Sequence, residues 1–414
     1  MRSTLRQFRS FDRPIRLLQI NQAGINLGFY MLMPYLAQHL SAGAGLAAWT
    51  IGLILGLRNM SQQGMFLIGG TLADRLGCKP MIMLGCALRT AGFALFGLTS
   101  SLPLLIVAAL VTGFAGALFN PAARAYLAVA AGERKVAAFA VFNVFCQGGI
   151  LLGPLLGIVL LKIGFTAVCL SAAAIFAVLT VLQGLCLPAR RGPLPADRPV
   201  LRDWRQAFGD RAFVSFAVAM IASYALSFQM YLALPLDVQR LGGGEAGVAA
   251  LYAISALLGI AGQVRLTTWC SGRWSRGQAI SRGLALMGLA FLPPAVVAHL
   301  PLPALGGILA VATCTFLLTL GTMAAFPFEM ATIADMAGDR LIGTYYGLYN
   351  LLSGIGVLAG NLMAGGLVDV ARSAGLAGLP WVLLAVAGLV SAAAVRRLER
   401  HDRLPSSGQA AVAT

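Results

Sequence analysis

The chain has 414 residues, of which 59% are hydrophobic and 11% charged, and its mean hydropathy is +0.83. A soluble globular domain, in which charged residues approach ~25%, is excluded, and the composition is that of a polytopic membrane protein. The formal charge of +16 would suggest nucleic acid only on a soluble face or tail, and here most of it lies at the termini and in the breaks between apolar runs, sorted by side.

In chain order the apolar runs, each close to the ~20 residues that cross a bilayer, are Leu17–Gln38, Trp49–Leu72, Met81–Thr99, Leu102–Tyr126, Val136–Leu161 and Phe165–Leu187. After a polar stretch come Phe213–Leu236, Ala246–Trp269, Ala279–Leu300, Leu305–Glu329, Leu341–Val368 and Pro380–Val395. The Arg-rich start precedes a run that is too long for a signal peptide and has no small-residue cleavage site, so it is expected to stay as the first span. Basic residues gather at Arg2 to Arg16, Arg75 and Lys79, Arg124 to Lys135, Arg190 to Arg211, Arg273 to Arg282, Arg340, and Arg396 to Arg403. The alternate breaks hold little beyond Lys162, Arg240 and Arg372. Charge sorted by side in this way places both termini in the cytoplasm, with an even number of spans.

Pro188 to Arg211 is a long polar segment with six runs on either side. The expected architecture is an all-α polytopic membrane protein of twelve transmembrane helices in two pseudo-symmetric six-helix bundles. Residues 1–187 form the first bundle, 188–211 a cytoplasmic linker, 212–400 the second bundle and 401–414 a disordered cytoplasmic tail. A weak internal repeat supports two halves: Ala117-Leu-Phe-Asn-Pro through Glu133-Arg134 to Asn143 aligns, about 206 residues on, with Ala324-Ala-Phe-Pro-Phe through Asp339-Arg340 to Asn350. The seven cysteines include no Cys-x-x-Cys pair and read as small core residues, with no metal site.

Gly70-Thr-Leu-Ala-Asp-Arg-Leu-Gly-Cys-Lys-Pro80 forms a charged turn between the second and third runs. Gly70 permits close helix packing, Gly77 a tight reversal, and Asp74 can face the positive end of another helix or pair with Arg75. This segment resembles the signature of the major facilitator superfamily, Cys78 alone departing from a usual basic residue. The resemblance implies a conformational latch carried by Gly70, Asp74, Arg75, Gly77 and Lys79. The related segment at Arg273-Trp-Ser-Arg has no preceding carboxylate, so the halves are not equivalent.

In the fifth run, Gly149, Gly153, Pro154 and Gly157 allow helix backbones to approach and bend the helix. The spacing resembles the motif of the drug:proton antiporters of that superfamily. Gly56-Leu-Arg58 with Gln62-Gln63-Gly64, Lys79-Pro-Met-Ile ahead of Arg89, and Phe119-Asn-Pro with Arg124 are similar to its MdtH-like multidrug resistance branch. Ala109 and Thr112 stand where the fourth span of that family carries Arg and Gln, so proton coupling does not carry over through that arginine.

An ionisable group inside a bilayer costs at least ~2.5 kcal/mol and is kept where it faces a cavity or a partner. Arg58 and Arg89 lie well inside runs two and three, and Arg58 is the cavity candidate of the two. Asn21, Gln22, Asn26, Asn120, Asn143, Gln147, Gln229, Tyr231, Tyr349 and Asn350 are further candidates for the substrate cavity, each of which could instead stitch helices together. The candidates for proton coupling are Asp237 and Glu329, near run ends, where solvated helix termini are the competing reading. A cavity with Arg58 and no deep acid favours neutral, zwitterionic or anionic compounds over lipophilic dications.

The expected function is secondary active transport in a bacterial inner membrane by alternating access: proton-coupled export of drugs or a small secreted metabolite such as a siderophore. A proton-linked importer or facilitator of a small nutrient is the alternative. No cofactor beyond the proton gradient is expected, nor an ATPase subunit, nor nucleic acid; the partners are a small-molecule substrate and the lipid bilayer, and the protein is expected to be a monomer. No Gly-x-x-x-x-Gly-Lys-Ser/Thr, His-Glu-x-x-His or Gly-x-Ser-x-Gly occurs, so an enzyme is not expected.

Overall fold

The computed structural model describes residues 2–40, 48–189, 199–231, 233–298, 300, 303–338, 340–356, 376 and 378–405. Linker residues 190–198, the eleventh run beyond residue 356, and the tail from residue 406 lie outside them. The helices are α1 (Arg2–Arg9), α2 (Arg13–Gln38), α3 (Ala48–Leu76), α4 (Cys78–Leu98), α5 (Leu102–Ala131), α6 (Lys135–Leu161), α7 (Phe165–Cys186) and α8 (Val200–Gly209). They continue as α9 (Arg211–Phe228), α10 (Ala233–Arg240), α11 (Gly244–Ser271), α12 (Arg276–Leu289), α13 (Leu292–Val297), α14 (Ala304–Ala337), α15 (342–356) and α16 (Leu379–Arg400).

Among the described residues, eight helical stretches are long and apolar enough to cross a membrane. Their exposed side chains are themselves apolar. On α6, Leu152, Leu155, Leu156, Ile158 and Val159 point outward, and on α7 Val178, Val181, Leu182 and Leu185 do so. In water such a surface would drive aggregation. Against lipid it is the expected outer face, because a helix satisfies every backbone group internally and leaves only its side chains to meet the solvent.

The helix boundaries follow backbone chemistry more than hydropathy. The charged segment from Gly70 was expected to be a turn, yet α3 runs through Asp74 to Leu76 and stops only at Gly77, whose φ of 91° no ordinary L-residue adopts readily. The seventh run is broken: α9 ends at Phe228 and a short 3-10 turn, Gln229–Tyr231, precedes α10. The ninth is broken between Leu289 and Leu292, just ahead of the Pro293-Pro294 pair that cannot continue the hydrogen-bond ladder. The tenth extends past Glu329 to Ala337.

The chain divides into two compact units, with boundaries at the end of α8, inside α14 and inside α15. One consists of Arg2–Phe208 with Ile333–Leu351, the other of Gly209–Thr332 with Leu352–Thr414. In the first, α2 packs on α6 and α7, α3 on α5, and α4 on α5 and α7. Its core is built largely of alanine, glycine and phenylalanine, such as Ala108, Ala117, Phe93, Phe119 and Phe176, since small residues let backbones meet where lipid offers no hydrophobic drive between helices. In the second, α12 and α9 pack on α16. There the Ser281 hydroxyl donates to the Ala392 carbonyl at 2.8 Å, and that of Ser391 to the Ala219 carbonyl at 2.5 Å.

Candidate functional site

Asp74 lies near the end of α3 with its side chain 3% exposed. Three donors close on its carboxylate: the Gly343 N–H at 2.7 Å, the Thr344 N–H at 2.6 Å and the Thr344 hydroxyl at 2.7 Å. Gly343 and Thr344 belong to the first turn of α15, where backbone N–H groups have no helical partner and the helix dipole is positive. The approach needs glycine. A Cβ at Gly70 would sit 2.0 Å from the Gly343 carbonyl oxygen, one at Gly343 2.4 Å from that of Gly70, and one at Gly347 2.4 Å from that of Phe66. Of the two partners open to Asp74 in the sequence, the geometry selects the helix N-terminus. Gly343 and Thr344 were not singled out beforehand; the spacing of Gly343 and Gly347, four apart, was the available signal.

Arg75 turns away from Asp74 and pairs with Asp203 of α8 at 2.7 Å. One residue on, the Trp204 indole N–H donates to the Thr71 hydroxyl at 2.8 Å, and Thr71 in turn donates to the Leu67 carbonyl at 2.8 Å. Thus α8 is fastened to the same end of α3 that Asp74 fastens to α15. Lys79 does something different: its Nζ donates to the Gly184 carbonyl at 2.8 Å, placing a cation at the C-terminal end of α7. Two further pairs join the early helices to the segment 333–351. Lys135 pairs with Asp335, and Arg124 donates to the Asn350 side-chain oxygen at 2.8 Å, while Asn350 donates to the Tyr346 carbonyl at 2.7 Å.

The glycine stripe of α6 seats on α2. A Cβ at Gly149 would lie 2.4 Å from the Ala23 carbonyl oxygen, at Gly153 2.8 Å from Tyr30 Cβ, and at Gly157 2.4 Å from the Met31 carbonyl oxygen. Beside it the Tyr35 hydroxyl donates to the Pro154 carbonyl at 2.8 Å. Several cavity candidates make helix-to-helix contacts. Gln22 and Asn26 of α2 donate to Cys146 Sγ at 3.4 and 2.9 Å, and Asn21 accepts from the fully buried Gln183 of α7 at 2.6 Å.

Asn120 on α5 and Asn143 and Gln147 on α6 are half-buried, and Tyr349 is fully buried. Gln229 is buried in the 3-10 turn and donates to the Ala225 carbonyl at 2.9 Å; the side chain of Tyr231 lies outside the described residues. Asp237 on α10 is half-buried. Glu329, expected near the end of a span, where a solvated terminus competes with proton coupling, is instead 2% exposed and two turns inside α14.

Inside the first unit, Arg58 of α3 and Arg89 of α4 share one aromatic ring. Arg58 lies over Phe29 at 4.7 Å from the ring centroid and Arg89 at 5.7 Å. Arg58 donates to Asn59 Oδ1 at 2.7 Å and to Gln62 Oε1 at 2.6 Å. Arg89 is 4% exposed and is held as well over Phe119 and Phe176 at 5.9 and 5.6 Å. Helix α4 therefore turns Arg89 into the bundle.

With this geometry in hand, the comparisons with known proteins agree on one assignment. The family model described as Major Facilitator Superfamily matches residues 20–361. An uncharacterized MFS-type transporter of Mycobacterium tuberculosis is 48% identical over 396 residues, covering 95% of this chain and 94% of the relative. The multidrug resistance protein MdtH of Salmonella newport is 31% identical over 390 residues, covering 94% of each. Among solved structures, the human organic anion transporter TETRAN superposes with a TM-score of 0.72 at 16% identity, covering 92% of this chain and 99% of its own. The Escherichia coli fucose:proton symporter FucP gives 0.73 at 14%, covering 93% and 98%. At such identities the two structures speak for the fold alone.

Proposed function

We propose that this chain, which belongs to the Major Facilitator Superfamily, is a secondary exporter that moves drugs or a small secreted metabolite such as a siderophore in exchange for protons. Twelve spans, both termini in the cytoplasm and residence in a bacterial inner membrane go with this reading. The observation that carries it is the α6 stripe of Gly149, Gly153 and Gly157 with Pro154, seated on the α2 backbone. It has the spacing found in the antiporter branch, and a relative covering 94% of this chain is named a multidrug resistance protein.

Alternating access requires contacts that are strong enough to hold one state and local enough to release. The Asp74 cluster fits that requirement. Charge-assisted hydrogen bonds to a carboxylate contribute ~1.5–3 kcal/mol, and the Asp74 contact is confined to one end of α3 and the first turn of α15. Coupling to protons needs a carboxylate shielded from bulk water. Glu329, buried in α14, is the better of the two candidates, and Asp237 the second. Arg58, with the polar side chains around it, supplies the substrate cavity in the same scheme. The gradient is the energy source, with no nucleotide site, no ATPase subunit and a monomeric unit.

The test begins with culture supernatants of a deletion strain and its parent, compared for a compound missing from the first. That compound is then offered to everted membrane vesicles. Accumulation that follows acidification of the interior, and collapses with an uncoupler, is expected. Accumulation only under the opposite gradient would make the protein an importer, and none under any gradient removes the antiport reading.

A further inference from the structure

Arg58 and Arg89 are two guanidinium groups on helices α3 and α4 of one compact unit, and among the described residues neither has a carboxylate partner. The Nε of each is buried without a hydrogen-bond acceptor. Each such charge is expensive to hold in a membrane interior, and two of the same sign add mutual repulsion. What surrounds them softens this without cancelling it. The oxygens of Asn59 and Gln62 accept from Arg58, and the faces of Phe29, Phe119 and Phe176 attract the cations through their quadrupoles. A structural arginine buried for stability alone would be paired.

The cluster is also built as a place. Gly116 of α5 lies beneath it: a Cβ there would come within 3.0 Å of Gln62 Cδ and 3.3 Å of Arg89 Nη2. The absence of a side chain at residue 116 therefore lets Gln62 and Arg89 stand side by side, and Gln62 is the residue that Arg58 grips. On the other side the cluster opens. Asn59 and Met60, next to Arg58, are exposed, and a Cβ at Gly56 or Gly64 would meet nothing within 4 Å. Arg58 stands half-buried at that edge, with Arg89 behind it. Phe29 and Tyr30, half-buried and in an edge-to-face contact at 5.2 Å, stand beside the same edge.

We propose that Arg58, Arg89 and Gln62, walled by Phe29, form a binding site for the oxyanion of an amphipathic organic acid, the apolar body of the ligand resting on Phe29 and Tyr30. A carboxylate, sulfonate or phosphonate supplies the missing negative charge and the acceptors that both Nε groups lack, and a guanidinium fork matches its paired oxygens. The neutral oxygen of Gln62 holds Arg58 in place while the site is empty. This names the substrate class of the cavity in the exporter reading and rests on that reading for its purpose, though its chemistry stands without it.

The test uses the purified full-length protein in detergent with 1-naphthoate as the probe, 1-naphthamide as its neutral counterpart and 1-naphthylmethylammonium as a cation of similar shape. Wild-type protein is expected to bind the naphthoate at least tenfold more tightly than the amide, and the ammonium ion more weakly than either. Arg58→Gln and Arg89→Gln are each expected to weaken naphthoate binding at least tenfold while leaving the amide unchanged, and Arg58→Lys to recover part of the loss. The ligand-free Tm of Arg89→Gln should equal or exceed that of wild type, because an uncompensated charge has been removed; a structural role would lower it. No naphthoate binding, equal affinity for naphthoate and amide in the wild type, or naphthoate binding that is insensitive to both glutamine variants overturns the site. The wild-type comparison does not depend on any variant folding. Charge-selective binding without gradient-driven transport in vesicles would leave the site and remove the exporter; gradient-driven export of a compound with no anionic group, without charge-selective binding, would do the reverse.

Discussion

A carboxylate buried at the end of a helix is stable only if something replaces its water, and at Asp74 the replacement is three donors from residues 343 and 344. Substituting Asp74→Asn keeps the shape but removes the charge and turns one acceptor into an NH2 group facing N–H donors. At ~1.5–3 kcal/mol for a hydrogen bond to a charged group, and ~1.4 kcal/mol per tenfold change in rate, transport should fall about tenfold or more. Membrane insertion, set by the spans, should be unchanged. Vesicle transport rates normalised to inserted protein measure this, and a normal rate would return the residue to a topological role. The sequence narrowed Asp74 to a helix N-terminus or Arg75. It did not show that Arg75 answers Asp203, because a partner 128 positions away leaves no trace in local spacing. The same holds for Arg89, whose burial among Phe29, Phe119 and Phe176 depends on which way α4 faces.

Between helices, the fit of α6 on α2 is decided by what is missing from Gly149, Gly153 and Gly157. A methyl group at residue 149 would be 2.4 Å from a backbone oxygen, which cannot rotate away, so the helices must part. Gly149→Ala should therefore lower the Tm of the purified protein measurably, in line with ~1–3 kcal/mol for overpacking. At Gly148, where a Cβ meets nothing within 4 Å, the same substitution should be close to neutral, and equal shifts at both positions would show that the seat on α2 is not the cause. The i, i+4, i+8 pattern was readable beforehand, and so was its meaning of close approach, but not which helix it meets. Hydropathy located the long helices but not their ends, and it did not show α8, which lies in the stretch 188–211 expected to be a linker. Charged Asp74 and Arg75 do not stop α3, since a helix tolerates charge and yields to backbone constraint at Gly77. The same distinction explains the breaks in the seventh and ninth runs, where the apolar pattern continues across a turn.

For the chain as a whole, the proposed topology rests on the alternation of basic-rich and base-poor breaks. Reporter fusions should read cytoplasmic after Arg403 and on the opposite side near Gly242, in the turn between α10 and α11; a reversed or mixed pattern would overturn the arrangement with both ends inside. Composition was enough to make the chain a membrane protein, and the segment Gly70 to Pro80 was enough to indicate the superfamily, because bilayer thickness and a short motif both act locally along the chain. What the sequence determined by itself is thus that the chain is a multi-pass membrane protein, the glycines that permit close approach, and the family. Only the tertiary structure decided that residues 333–351 join the early helices in one compact unit, that Glu329 is buried, and that Arg58 and Arg89 share the Phe29 ring. Those outcomes depend on the rotation of each helix about its own axis, and that rotation is set by packing between segments far apart in the chain.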